Sequence, residues 1–357
     1  MSFPFWYRPF LVAVFLLPLT LSAQDEPRQA PKFEEEIEVN LVLIDAIVTD
    51  RQGNQMLGLR AGDFIVAEDG TPMEIDSVDY FTNRRLLTGR EEEAAFDVER
   101  LREERYFILF FHKVGTIGDS ALRLELMRAK QAAQKFIREE ILPEDRVAIA
   151  GYDFRLKIFS DFSSDKEALV RALDDAVSFA NGITESSAPR EISIFANLSQ
   201  DRMVKKTGRI YTAIEALAES VSPIQGRKAM LLYSPGMGEP AEGNRQFRQN
   251  DDFWFDPMVH SLNEANVSVY TVNTNPSTEY HVTEELLNRL SAQTGGEHFR
   301  ALVDYGVALR EVENENNGYY LLTYYSRKPR GEHGYQEVEV RLRNPEFRIK
   351  AREGYKY

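Results

Sequence analysis

The chain contains no cysteine, which excludes disulfide bonds, thiolate metal sites, a cysteine nucleophile and a lipid-modified cysteine. Histidine is scarce, and none of the five histidines has a second one at the i, i+4 spacing of a metal-binding helix. Positive charge is in deficit, with 43 lysines and arginines against 57 aspartates and glutamates and a formal net charge of −14. An acidic body repels nucleic acid and anionic membrane surfaces, so the sequence predicts neither as a partner.

What the chain does have is length and apolar content. Its 357 residues, 43% of them hydrophobic, allow two domains, or one domain with additions, around a full core. At the N-terminus, Arg8 precedes an apolar run at 11–21 that is too short to span a bilayer comfortably, and Ala23 ends a cleavage motif. These features predict a signal peptide over residues 1–23 and a secreted or periplasmic protein with no membrane span after cleavage. The alternative is an uncleaved N-terminal anchor.

The segments that follow differ in composition. Residues 24–36, rich in proline, glutamine and glutamate, are predicted to be a disordered leader. Residues 37–87 contain β-rich runs and the hairpin signal Asp69-Gly70, which predict short β-strands. These strands are too few to make a good core alone, so we expect them to need a partner. Residues 88–105 are charged throughout, which predicts a linker or an exposed helix.

Residues 106–317 alternate between apolar strands and amphipathic helices. This alternation predicts an α/β domain with a doubly wound, mainly parallel sheet and helices on both faces. Ligands of such sheets bind beyond the carboxyl ends of the strands, near the point where strand order reverses. That rule selects four segments, 112–118, 152–155, 234–240 and 273–280.

Residues 318–357 return to strands alone, with alternating patterns and no helix. We expect these C-terminal strands to pair with the strands of 37–87. The two ends of the chain would then form one small β-sandwich, with the α/β domain inserted between them. Shared strands of this kind would supply the core that the N-terminal segment lacks.

Several motifs, taken in their order along the chain, resemble one family. They are Glu-Asp-Gly at 68–70, Pro-Glu-Asp-Arg-Val-Ala-Ile at 143–149, Gly-Arg-Lys-Ala-Met-Leu-Leu-Tyr-Ser-Pro-Gly at 226–236, Gly-Tyr-Tyr-Leu-Leu-Thr-Tyr at 318–324 and Ala-Arg-Glu-Gly-Tyr at 351–355. Over residues 37–357 the chain resembles the bacterial secreted proteins related to the von Willebrand factor type A domain. The resemblance implies that fold for residues 106–317.

The resemblance also implies where an ion site would lie. The positions that carry the family's ligands are His112, Val114, Thr116, Gly208 and Pro235. Only Thr116 keeps an oxygen donor, although Thr207 would supply another if the register is shifted by one residue. Mg²⁺ needs near-octahedral oxygen ligands including a carboxylate, so we expect a degenerate site with neither metal nor cofactor. His112 is then either a contact at the rim of the binding face or a loop histidine bonded to a backbone carbonyl.

A second set of candidates follows the strand at 230–233, in a segment predicted to be a loop. Arginine and aromatic residues, which are enriched at protein interfaces, cluster there. The candidate partner-binding residues are Arg245, Phe247, Arg248, Phe253 and Trp254. The alternative is that Trp254 and Phe255 begin the following helix and pack inward.

Together these features predict a non-enzymatic, extracytoplasmic module that binds a protein partner without a divalent ion. One alternative is a structural or envelope-assembly component with no dedicated ligand. A second is a hydrolase with an unrecognised site, for which Ser234 is a weak candidate because its surroundings lack the first glycine of a nucleophile elbow.

Overall fold

A computed structural model describes residues 40–82, 104–113, 120–238, 245–277, 282–326 and 334–356. The predicted signal peptide, the leader and most of the charged segment at 88–105 lie outside the described residues. No helix within the described ranges combines the length and the apolar character that crossing a bilayer requires.

Along these ranges the chain forms fourteen strands and seven α-helices. The strands are β1 (Asn40–Thr49), β2 (Phe64–Glu68), β3 (Thr71–Met73), β4 (Ile75–Thr82), β5 (Tyr106–His112), β6 (Arg146–Tyr152), β7 (Leu156–Ser163), β8 (Lys228–Ser234), β9 (Val267–Asn273), β10 (His298–Phe299), β11 (Gly318–Ser326), β12 (Tyr335–Leu342), β13 (Arg348–Ala351) and β14 (Gly354–Lys356). The helices are α1 (Ser120–Glu139), α2 (Lys166–Ser178), α3 (Gln200–Lys205), α4 (Ile210–Val221), α5 (Arg245–Glu264), α6 (Val282–Gln293) and α7 (Gly306–Glu315).

A six-stranded sheet forms the centre of the α/β part, in the order β10-β9-β8-β5-β6-β7. All its pairs are parallel except β6 with β7. Every residue of β5 is buried, as expected for a strand covered on both faces. Phe110 packs in the core under α4, α5 and α6, whereas its neighbour Phe111 packs in the core under α1, α2 and α7. The predicted mainly parallel α/β sheet is therefore confirmed.

Two four-stranded sheets are built from both ends of the chain, in the orders β13-β1-β11-β4 and β14-β12-β2-β3. The pairs β1 with β11 and β2 with β12 are antiparallel and join residues far apart in sequence. One apolar cluster includes buried residues of both sheets, among them Ile44, Val66, Tyr320 and Val338. Strands from the two ends of the chain thus bury one another.

Arg105, the last residue of the segment predicted to be a linker or an exposed helix, is buried. Its guanidinium donates to both carboxylate oxygens of Asp145, at 2.8 and 2.6 Å, and to Glu313 at 3.2 Å and Asn317 at 2.7 Å. A bidentate pair with further hydrogen bonds offsets the cost of removing the charges from water. The charge of this segment, which predicts a linker or an exposed helix, does not by itself reveal such a buried partner.

The segment predicted to be a loop after β8 is helical from Arg245 onward, because α5 is a single helix of 20 residues. The sequence prediction began this helix near Phe255, because the residues at 237–252 are rich in glycine, glutamine and charge. Pro257 lies inside the helix, where it lacks the N–H that would bond the preceding turn. The helix continues through it because Phe255, Met258 and Leu262 pack in the core.

Candidate functional site

The crevice of the central sheet lies between the carboxyl ends of β5 and β8. From β5 the chain proceeds to β6 on one side, and it later returns to β8 on the other. The helices that follow the two strands, α1 and α5, cover opposite faces of the sheet. This is the point of strand-order reversal at which ligands of open α/β sheets bind. His112 ends β5 and Ser234 ends β8, so both lie at the crevice.

His112 and Ser234 are joined by a hydrogen bond across the crevice. His112 Nδ1 lies 2.7 Å from Ser234 Oγ, and both residues are buried. Ser234 Oγ also accepts the N–H of Gly236 at 3.2 Å and lies 2.9 Å from the Gly236 carbonyl. Burial lowers the pKa of His112 to about 3, so the imidazole is neutral near pH 7. His112 is thus a buried strand residue bonded to a side-chain hydroxyl, which neither expectation from the sequence described.

The donors that the structure describes at the crevice do not fit a divalent cation. Val114 and Thr116, the other positions of the turn after β5, lie outside the described residues. Pro235 follows Ser234 and offers no side-chain donor. No carboxylate in the described part of the chain contacts His112 or Ser234. Mg²⁺ takes oxygen ligands that include a carboxylate, and a neutral imidazole with a bonded hydroxyl does not replace them.

Thr207, the residue that a shifted register would bring into the ion site, forms hydrogen bonds with the backbone. Its buried hydroxyl accepts the N–H of Leu156 at 3.1 Å and donates to the carbonyl of Met203. These two bonds use its donor and one of its acceptor positions. A shift of one residue therefore adds no carboxylate, which Mg²⁺ needs, at the crevice.

One group of three carboxylates elsewhere is compact enough to hold a metal within the described ranges. It consists of Glu297, Glu311 and Glu315, whose oxygens lie within 4.8 Å of one another. The ammonium of Lys350 forms ion pairs with Glu297 and Glu315. The cation that this cluster binds is therefore a lysine of the same chain.

Tyr152, the last residue of β6, connects the crevice to the start of α4. Its ring packs edge-to-face on His112, with 5.6 Å between the centroids. Its hydroxyl donates to the carbonyl of Gly208 at 2.8 Å. Burial raises the pKa of Tyr152, with a smaller opposing effect from Arg209, so the hydroxyl keeps its proton. Gly208, expected at a degenerate ion-site position, contributes its backbone carbonyl to this contact.

Phe154 is an exposed aromatic residue at the tip of the β6–β7 hairpin. Its side chain is 70% exposed, and its φ of +59° lies in the left-handed region, which is a rare conformation for a bulky residue. Asp153 anchors the hairpin through ion pairs with Lys113 at 3.3 Å and Lys157 at 3.4 Å. The rule for sheet edges selected 152–155 from the sequence, but no signal distinguished Phe154 within it.

A cavity of about 410 Å³ lies beside Gly208. We call it the cationic pocket, defined by Arg202, Lys205, Lys206, Arg209 and Trp254. The guanidinium of Arg209 lies over the indole of Trp254, 5.4 Å from the ring centroid, which is within the range of a cation–π contact. The pocket therefore joins residues of α3, the start of α4, and α5.

The sequence-predicted partner-binding residues lie in the first half of α5, and their surroundings differ. Phe253 is 68% exposed, whereas Trp254 is partly buried against the core and lines the cationic pocket. Their rings meet edge-to-face with centroids 5.0 Å apart. Phe255 is fully buried, as the inward-packing alternative expected. Arg245, Phe247 and Arg248 belong to the first turn of α5.

The four cations of the pocket were not among the candidates from the sequence. They lie within the eight residues 202–209, in a chain whose overall charge is strongly negative. This local excess of positive charge was a usable signal, but the sequence singled out only the whole segment 179–207, as long enough to be functional or simply flexible.

No family model matches the chain, and no curated protein matches it in sequence. Among solved structures it is similar to an aerotolerance-related membrane protein from Bacteroides fragilis (13% identity, TM-score 0.37, 59% of this chain and 98% of that chain). It is also similar to BatB from Bacteroides thetaiotaomicron (14% identity, TM-score 0.37, 59% of this chain and 97% of that chain). A third similar structure contains three domains of the type V pili tip protein from Porphyromonas gingivalis (7% identity, TM-score 0.37, 73% of this chain and 53% of that chain). Likenesses of this size carry no information about function.

Proposed function

We propose that this protein is a non-enzymatic, extracytoplasmic module that binds a protein partner without a divalent ion. In this proposal residues 106–317 form a domain of the von Willebrand factor type A kind, and the carboxyl edge of its sheet presents the binding surface. The strands within 37–87 and 318–357 form a β-sandwich that supports it. Residues 1–23 direct the chain out of the cytoplasm.

The observation that carries the proposal is the hydrogen bond between His112 and Ser234. Nδ1 of His112 and Oγ of Ser234 lie 2.7 Å apart, the distance of a direct hydrogen bond, and neither atom is a carboxylate oxygen of the kind that Mg²⁺ prefers. The pair closes the crevice at the place where an ion would bridge the protein to a ligand. Recognition would then depend on the side chains around the crevice.

Exposed aromatic side chains supply such a surface. Phe154 and Phe253 are both mainly exposed. Phe154 lies two residues after Tyr152, whose ring contacts His112 at the crevice. Phe253 packs against Trp254, which lines the cationic pocket. Aromatic residues are frequent anchors at protein interfaces. A bulky residue held at positive φ costs about 1 kcal/mol or more, and such strain concentrates at binding sites. Phe154 therefore marks the part of the edge that a partner covers.

The geometry of Ser234 opposes the hydrolase alternative. A nucleophilic serine needs an accessible oxygen and a general base whose pKa lies near the working pH. Ser234 is fully buried and its Oγ already accepts the N–H of Gly236. A pKa of about 3 makes His112 a weak base. No carboxylate among the described residues orients the imidazole, so this serine–histidine pair lacks the third member of a triad.

The experiment is cross-linking in the native cell followed by mass spectrometry, using the full chain and two matched variants. Phe154→Asn removes the aromatic anchor and places at positive φ a residue that tolerates it, so we expect stability to rise by up to about 1 kcal/mol while a specific partner is lost. Leu57→Ala removes an exposed apolar side chain from the loop between β1 and β2, and should leave the partner profile unchanged.

The outcomes separate the alternatives. A partner that persists in Phe154→Asn and in Phe253→Ser would favour a structural component without a dedicated ligand. A complex that dissociates in EDTA and returns with Mg²⁺ would contradict ion-independent binding. Covalent labelling of Ser234 by a serine-hydrolase probe would contradict the non-enzymatic assignment.

A further inference from the structure

We propose that the cationic pocket binds an acidic peptide segment in which a carboxylate side chain lies next to an apolar one. This inference rests on the proposed function, because it states the chemistry of the partner. It places the carboxylate against Lys206 and Arg209 and the apolar side chain against Trp254.

The charge of the pocket supports an anionic ligand. Arg202 forms an ion pair with Glu219 and Lys205 forms one with Asp201, so these two cations are compensated internally. Glu215 also lines the pocket, but no ion pair of Lys206 or Arg209 is found in the described part of the chain, and both cations are exposed.

The pocket is thus a positive patch on a protein of net charge −14. Extended polyanions such as nucleic acids and anionic membranes are repelled by the rest of the surface. A short acidic segment contacts only the patch.

The start of α4 adds to the positive potential. Arg209 is the N-cap residue of this helix, and its side chain has no acceptor for the free N–H groups of the first turn. The hydroxyl of Thr212 lies 3.0 Å from the carbonyl of Arg209 and donates to it. The positive end of the helix dipole therefore faces the same cavity as Lys206 and Arg209, and all three favour a carboxylate there.

Trp254 favours a ligand that is more than a bare anion. Its indole packs on the core on one side and lines the pocket on the other, and the guanidinium of Arg209 lies over it. The wall is therefore part aromatic and part cationic, which suits an apolar side chain beside a charged one. The volume of about 410 Å³ lies in the range of pockets that take small ligands. It accommodates a few side chains and not a whole helix.

A larger cavity of about 760 Å³ lies where α5 and α6 face the sheet containing β12 and β14, and two of its cations are paired with carboxylates. Arg289 pairs with Asp256 at 2.9 Å, and Lys350 pairs with Glu297 and Glu315. The cationic pocket differs because two of its cations remain available.

The fluorescence of Trp254 provides a way to measure ligand binding at the pocket. The chain has two tryptophans, and the other is Trp6 within the predicted signal peptide. In the full chain carrying Trp6→Phe, the indole emission therefore reports on the pocket alone. The probe is a hexapeptide of sequence Gly-Asp-Phe-Asp-Glu-Gly. The matched control peptide replaces each acid by its amide.

We expect the acidic peptide to change the emission of Trp254 saturably, and added salt to weaken binding. The amide peptide should bind at least about tenfold more weakly, and so should the acidic peptide to the double variant Lys206→Gln, Arg209→Gln. Lys135→Gln, an exposed cation on α1, is the matched control and should leave the affinity unchanged. Both pocket residues are exposed, so the double variant should retain the fold.

Three results would overturn the inference: no saturable change with the acidic peptide, equal affinity for the amide peptide, or unchanged affinity in the double variant. Inorganic phosphate that saturates the signal at lower concentration than the peptide would assign the pocket to a phosphate-bearing ligand instead. A partner captured through Phe154 but indifferent to the double variant would leave the proposed function intact and remove this inference alone.

Discussion

The substitution Lys228→Met removes an ammonium group that is buried at the start of β8, where the residue is only 1% exposed. The ammonium donates to the carbonyls of Ile224 at 2.5 Å and Gly226 at 2.9 Å. Burial lowers the pKa of Lys228 to about 7, an effect that Asp45 partly opposes and Arg352 increases. The charged form of this lysine is therefore less stable in the folded protein than in the unfolded chain.

The sign and size of the pH dependence follow from this shift. The unfolded lysine has a pKa of about 10.5, so between pH 7 and pH 10.5 the unfolded state binds a proton that the folded state does not. The free energy of unfolding should therefore rise with pH in this window, by about 2 kcal/mol between pH 7 and pH 9. Burial also raises the pKa of the tyrosines Tyr233, Tyr270 and Tyr305, but tyrosines affect stability only above about pH 10.

The assay is equilibrium unfolding in urea at pH 7, 8 and 9, followed by circular dichroism. Methionine keeps most of the aliphatic contacts of lysine and carries no charge, so Lys228→Met should show no rise over this range. Lys135→Met, at an exposed position of α1, is the control and should keep the wild-type slope. A wild-type protein equally stable at pH 7 and pH 9, or an equal rise in Lys228→Met, would refute the reasoning.

Two further predictions concern the crevice. Gly236 has a φ of +146°, and a Cβ there would lie 2.5 Å from Thr283 Oγ1, so Gly236→Ala should lower the free energy of unfolding by about 2 kcal/mol or more. A Cβ at Gly208 would meet nothing within 4 Å, so Gly208→Ala is the control and should change the free energy of unfolding by less than about 1 kcal/mol. Equal melting temperatures for the two variants would contradict this. The pKa of His112 in the folded protein lies below that of an unfolded histidine, so below about pH 6.5 the unfolded state binds a proton that the folded state does not. Lowering the pH from 7 to 5 should therefore destabilise the wild type relative to His112→Gln by about 2 kcal/mol. Urea unfolding of both proteins at pH 7 and pH 5 measures this change, and an unchanged difference in free energy of unfolding would show that the imidazole is not buried in its neutral form.

Local sequence patterns were sufficient to predict a strand or helix where the segment's own apolar residues determine its burial. The run at β5 is apolar from Phe107 to Phe111, and the structure places it between two cores. The prediction failed at α5, where a stretch rich in glycine, glutamine and charge indicated a loop and a late helix start. There the outcome depended on the burial of Phe255 and Met258, which local composition does not express.

The contacts of the crevice needed the register of the sheet. His112 and Ser234 are 122 residues apart, and they meet because β5 and β8 pair with Phe111 beside Tyr233. Nothing in either local sequence specifies that alignment. The cationic pocket likewise needs α4 and α5 to pack together before Arg209 meets Trp254.

The neutral pair at the crevice changes which conditions should control binding. Two carboxylates at one site repel each other unless a cation compensates them, whereas a neutral imidazole bonded to a hydroxyl needs no counter-ion. The crevice bridged by His112 and Ser234 is therefore stable in a medium of any divalent-ion content. If the cationic pocket binds an acidic segment as inferred above, the ionic contribution to affinity comes from Lys206 and Arg209, which are exposed and screened by monovalent salt. Sodium chloride should weaken the complex and chelation of divalent ions should leave it unchanged, because the charges that contact the partner belong to the protein itself.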